Sequence, residues 1–195
     1  MTMEKTCPTE PYLAEPMRLN PIVQLTDNQI EYCRHAAQVR LEKKYHGKTL
    51  DVFERNKELP KYRLQVMGEQ AAAAYYAPCK WNSVYERPYG WLTLDNLIQV
   101  RVRDNGTDDL PVYGNDRDGG YYLLVSPHGY TYERRFRLTG WIKGGDGKRG
   151  EWRRQRQPDL FEHGDVYDVQ HRYLHHAEAL VPILREHQLN GGMLK

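Results

Sequence analysis

From Trp91 onward the chain breaks into short apolar segments separated by turn sequences, a texture that a β-sheet satisfies and a helical bundle does not. The segments are WLTL, IQVRVR, LPVY, YYLLVS and FRLTGWI, with DNGTDD and GNDRDGG between them. Asn105-Gly106 and Gly119-Gly120 are strong hairpin signals, so about five strands are expected in a mostly antiparallel or mixed sheet, drawn as a meander. In IQVRVR, Ile98, Val100 and Val102 share one face and Gln99, Arg101 and Arg103 the other, as a half-buried strand requires.

Ahead of the sheet lie two helical patterns. Thr26-Asp27-Asn28-Gln29 has the form of a capping box, and Ile30, Cys33, Ala37 and Leu41 follow on one face, which predicts a helix over about 27–45. The polar stretch from His46 to Pro60 reads as a loop with a short helical turn. LQVMGEQAAAAYY then predicts a second helix over about 62–76, whose alanines permit close packing. After the last strand, VYDVQHRYLHHAEALVPILREH predicts a strand-like start and a helix holding Leu174, Ala177, Leu180 and Val181. The order of elements gives an α+β fold class. At 195 residues with 39% apolar content, the chain suits one domain, 26–188, with a proline-rich extended arm, 1–25, and a flexible tail, 189–195.

Composition narrows the function classes. No run of 18 apolar residues exists and MTMEKTCPTEPYLAEP resembles no signal peptide, so a cytoplasmic protein with no membrane partner is expected. The three cysteines, Cys7, Cys33 and Cys79, are widely spaced without a CxxC pair, which suits reduced thiols. Formal net charge is only +2, so attraction to nucleic acid must come from a local patch. The best patch holds Lys143, Lys148, Arg149, Arg153, Arg154 and Arg156 against Asp146 and Glu151, beside Trp141 and Trp152. Basic groups interleaved with indoles suit phosphate contact and stacking on a base or sugar, though a solvated basic loop has the same composition. His171 and His175 share the spacing of a metal-binding helix but lack the glutamate of HExxH. GGDGKRG lacks the first glycine and the Ser or Thr of a phosphate loop.

Glu69 on the second helix, Asp95 before the strand, and Gln99 and Arg101 on one strand face form an order that a metal-dependent nuclease uses. Oxygen ligands converge on a divalent cation while a basic group steadies the phosphate. With Gly68-Glu69, LDNLIQVRVR, DLPVY, YYLLV, GWIKGGDGKRGEW and DVQHRYL, the stretch from Gly68 to Leu174 resembles the PD-(D/E)XK, or restriction-endonuclease-like, superfamily, in particular small members found in phages and prophages. The resemblance implies a restriction-endonuclease-like core flanked by helices, in a phage-type protein acting in its bacterial host. It implies Glu69, Asp95 and Gln99 as ligands of Mg²⁺ or Mn²⁺ and Arg101 in place of the usual lysine. Arg103, Lys143, Lys148, Arg149, Trp152, Arg153, Arg154 and Arg156 would then contact nucleic acid, DNA in the first place. Gln99 brings no negative charge to a cation, and Arg101 is a permanent cation that cannot serve as a base. Two functions therefore stay open: a nuclease hydrolysing phosphodiesters, or an inactive binding module that engages nucleic acid or a host protein complex.

Overall fold

The computed structural model describes residues 20–45, 51–81, 94–104, 108–129, 134–154 and 165–190. Strand β1 (Ile22–Gln24) leads into α1 (Asp27–Tyr45) and α2 (Val52–Tyr75). The strands β2 (Ile98–Val102), β3 (Leu110–Tyr113), β4 (Tyr121–Pro127) and β5 (Arg135–Lys143) follow, and then a single turn, α3 (Gly144–Gly147). Strand β6 (Val166–Val169) and two 3₁₀ turns, His171–Tyr173 and Ala177–Ala179, precede α4 (Leu180–Leu189). The fold is α+β, with a mixed four-stranded sheet and a separate two-stranded one.

α1 has the bounds that its pattern predicts. The Thr26 backbone N–H donates to Gln29 Oε1 at 2.8 Å and the Gln29 backbone N–H donates to Thr26 Oγ1 at 3.3 Å. The capping box is thus realised at both of its bonds. α2 instead starts ten residues earlier than the sequence suggests, because Asp51 caps it by accepting from the Glu54 backbone at 2.7 Å. Pro60 lies within it. Proline removes the bond to the carbonyl four residues back, that of Asn56, which belongs to a solvent-exposed turn where water can replace the lost donor.

The sheet is not a meander. Its order is β1-β5-β4-β2, with β1 and β4 antiparallel to β5 but β2 parallel to β4, from Ile98 opposite Tyr121 to Val102 opposite Val125. Parallel neighbours need a crossover rather than a tight turn. Here β3 leaves the sheet on the way and pairs antiparallel with β6, Leu110 opposite Val169 and Tyr113 opposite Val166. Gly119-Gly120 therefore turns the chain from one sheet to the other. Asn105-Gly106 and the first three residues of WLTL lie outside the described residues; Leu94 makes only isolated bridges to Trp81 and Ile98. The end of the expected arm belongs to the fold, since Ile22 to Gln24 pair with β5 and Leu25 is buried.

Both faces of the four-stranded sheet are covered. Ile98, Val100, Leu123, Val125, Phe136 and Leu138 pack under α1, α2 and α4, where the alanines of α2 bring the helix close. On the other face Tyr122, Leu124 and Ile142 pack with Leu110, Val112 and Val169 of the small sheet and with Trp152. The expected C-terminal helix is shorter than its pattern. Residues around His175 are held in extended form by reciprocal backbone bonds with Trp141, of 2.9 and 2.8 Å, so Leu174 precedes the helix and His171 and His175 do not share a helical face.

Candidate functional site

The structure distributes the four expected catalytic positions over three environments. Glu69 lies on α2 toward α1 and is 2% exposed. Its two oxygens meet the two terminal nitrogens of Arg40 at 2.9 and 2.5 Å, the fork-to-fork geometry that suits a guanidinium and a carboxylate. Gln65 Nε2 donates to Glu69 Oε1 at 2.9 Å, and Trp81 Nε1 approaches Glu69 Oε2 at 3.4 Å. The same Gln65 amide donates to the Val100 carbonyl at 2.9 Å and accepts from the Val102 backbone at 3.3 Å. A side chain thus takes the place of a further strand along β2, the edge of the sheet, and covers groups that would otherwise invite pairing.

Asp95 and Asn96 both have left-handed backbones, φ 47° and 56°, which these two residue types tolerate better than most. The Asp95 carboxylate accepts from the Lys80 backbone at 2.9 Å and from Gln188 Nε2 at 3.0 Å, and its carbonyl lies 3.2 Å from His187 Nε2. Asp95 thereby ties the entry to β2 onto the segment that follows α2 and onto the last turn of α4. Gln99 and Arg101 occupy the face of β2 opposite to Ile98 and Val100. Arg101 Nη2 donates to Asp116 Oδ1 at 2.8 Å and to Gln99 Oε1 at 3.1 Å, and its guanidinium lies 4.5 Å from the Tyr113 ring centre. Asp116 Oδ2 in turn accepts from the Tyr113 backbone at 2.7 Å.

A shared cation requires oxygen ligands converging to about 2.0–2.6 Å from one point. Glu69 and Gln99 are on opposite faces of the sheet, and each of their acceptor groups is engaged by an arginine. These residues do not fit a common Mg²⁺ or Mn²⁺ site in this arrangement. Among the described residues no group of three or more His, Cys, Asp or Glu side chains is placed to hold a metal ion.

The basic segment is partly neutralised from within. Lys148 Nζ donates to the Asp116 carbonyl and to Asp118 Oδ1, the second at 2.8 Å. Arg153 pairs with Asp165 at 2.8 Å, and Arg154 holds Asp168 through two bonds of 2.5 and 2.7 Å. Exposed pairs of this kind contribute little stability, because solvent screens them, but they weaken the outward field of three of the cations. Arg103 is half-buried, with its Nε buried and without a hydrogen-bond partner among the described residues. Arg156 lies outside the described residues. Lys143 and Arg149 are exposed and make no ion pair among the described residues.

Arg149 leads to a feature of which the sequence disclosed only half. Its guanidinium lies 5.3 Å from the Trp152 ring centre, the Trp152 and Tyr173 rings are 5.5 Å apart, and the Arg172 guanidinium lies 4.9 Å from the Tyr173 ring. Two exposed arginines thus bracket a tryptophan–tyrosine pair. Trp152 is 8% exposed and anchored in the smaller core, whereas Tyr173 is 48% exposed. Arg149 and Trp152 belong to the basic segment that the sequence singles out, whereas Arg172 and Tyr173 fall where a helix is expected; the two halves meet because Arg153 bridges to Tyr167 and the Arg154 backbone donates to the Val166 carbonyl of β6.

The described thiols offer no nucleophile. Burial above all, and then the charge of Glu69, pushes Cys33 up to about 12 against a smaller opposing effect of Arg40. Burial and then the charge and hydrogen bond of Asp95 push Cys79 up to about 12. With so little thiolate at neutral pH, both should label slowly with iodoacetamide at pH 8 in the folded protein, Cys33 almost not at all, and readily in denaturant. Peptide mapping by mass spectrometry checks this; rapid labelling of Cys33 in the native protein would contradict it.

Comparison with protein-family models, with curated proteins and with solved structures finds no match to this chain.

Proposed function

We propose that this chain is a nucleic-acid-binding module on a restriction-endonuclease-like core, acting by binding rather than by hydrolysis. The observation that carries the binding is the Arg149–Trp152–Tyr173–Arg172 array, since cations beside an exposed aromatic ring, here Tyr173 backed by the buried Trp152, suit both the phosphates and the base faces of a polynucleotide. Lys143, exposed on the same chain segment, adds a secondary phosphate contact, whereas Lys148, Arg153 and Arg154 are each paired with an aspartate. The preference for binding over hydrolysis rests on Glu69 and Asp95, whose carboxylates serve as internal hydrogen-bond acceptors on separate elements. Phage origin and a preference for DNA belong to the resemblance and are carried here as part of the same reading.

Incubation with labelled single- and double-stranded DNA and RNA, in Mn²⁺ and in EDTA, tests it. Retention that is unaffected by EDTA, without cleavage, is expected. Replacing Arg149 and Arg172 together with alanine should weaken retention by about tenfold. Mn²⁺-dependent cleavage that is lost on Asp95→Ala would instead establish a hydrolase. Absence of retention on any nucleic acid would end the binding proposal.

A further inference from the structure

Resting on that reading, we infer that the array recognises single-stranded nucleic acid, with the half-exposed Tyr173 side chain stacking against an unpaired base. A duplex offers phosphates and groove edges but keeps its base faces covered, so a duplex-binding surface relies on many uncompensated cations. Here Lys148, Arg153 and Arg154 each have an aspartate partner. What the surface does offer is a ring. Tyr173 is the largest exposed aromatic group among the described residues of this face, and its neighbour Trp152 is fixed in the core beneath it.

The platform is also held in place. The Tyr173 backbone N–H donates to the Gln170 carbonyl at 2.9 Å and that of Leu174 to the His171 carbonyl at 3.1 Å. Two residues further on, His175 is locked to Trp141 of β5. A ring ordered before binding loses little freedom on stacking. Arg172, its guanidinium 4.9 Å from the centre of that ring, flanks the platform and can hold the phosphate of a nucleotide stacked there. Arg149 at the far end of the array is placed to take an adjacent phosphate.

Fluorescence anisotropy with a labelled mixed-sequence oligonucleotide and with its duplex tests the inference on wild type, Tyr173→Ala and Tyr173→Phe. The single strand should bind at least about tenfold more tightly than the duplex, Tyr173→Ala should lose about tenfold of that affinity, and Tyr173→Phe should keep it. The slope of log affinity against log salt should be no steeper than about −2, as expected for two or three phosphate contacts on a single strand. Equal or tighter duplex binding, or an unchanged Tyr173→Ala with loss only on removing arginines, overturns the single-strand inference and leaves nucleic-acid binding standing. No binding to either form overturns both. Displacement by polyglutamate as effective as by unlabelled oligonucleotide would overturn both in favour of an acidic protein ligand.

Discussion

Glu69→Ala is expected to lower the unfolding free energy by about 3 kcal/mol, seen as a fall in melting temperature on the order of 10 °C. The substitution leaves the Arg40 guanidinium, only 16% exposed, without the carboxylate that holds both of its terminal nitrogens. An uncompensated charge in a helix interface is one of the few mechanisms by which a single change costs this much. It also removes an acceptor from Gln65, whose amide covers the edge of β2. Glu69→Gln should cost nearly as much, because the shape is kept but the charge is not. Replacing Arg40 and Glu69 together by leucine should restore much of the loss, since a buried pair contributes little beyond the harm done by breaking it. A carboxylate kept for a metal sits among other carboxylates, so its removal would relieve repulsion. A melting temperature unchanged or raised in Glu69→Ala, measured in EDTA, would show that the Arg40 pair is not its main role.

What the sequence made legible is what neighbours along the chain decide. The bounds of α1 follow from Thr26 and Gln29, three residues apart, and from an apolar stripe that any helix of that sequence presents. The alternation in β2 correctly separates Ile98 and Val100 from Gln99 and Arg101. It is silent about what covers either face, and the polar face proves to lie under Tyr113 and beside Tyr122 and Leu124 rather than in open solvent. Glu69 looked available because its partner, Arg40, lies 29 residues away, a separation at which no spacing rule operates. Asp116 escaped notice for a similar reason: within GNDRDGG it reads as a turn former, which it is, while its second oxygen reaches across to Arg101. The parallel pairing of β2 with β4 could not be read from the turn sequences, because a hairpin signal specifies a reversal of direction and not the strand that is met after it.

The approach of Tyr173 to Trp152 met the same obstacle, and the residue that lets the Tyr173 segment dock is Gly140. Gly140→Ala is expected to lower the unfolding free energy by about 2–4 kcal/mol, combining a strained backbone with overpacking. Its φ is 157°, and a Cβ added there would come within 2.8 Å of both the His175 carbonyl oxygen and Leu174 Cβ. One of these obstacles is backbone, which cannot rotate out of the way. The glycine sits at the irregularity where β5 pairs with β4, Leu124 opposite Gly140 but Val125 opposite Leu138, so the strand bends at the point where the segment from Tyr173 to His176 docks. An added methyl group must push that segment off β5, breaking the two backbone bonds between Trp141 and His175 and the bond from Trp141 Nε1 to the His176 carbonyl. Tyr173 is carried on the displaced segment. Gly140→Ala should therefore weaken single-strand binding even at temperatures where the protein stays folded, although Gly140 is on no surface that a ligand touches. Circular dichroism melting reads the first effect and anisotropy well below the transition the second. A variant that loses stability yet binds with unchanged affinity would show that Tyr173 does not depend on this docking for its position.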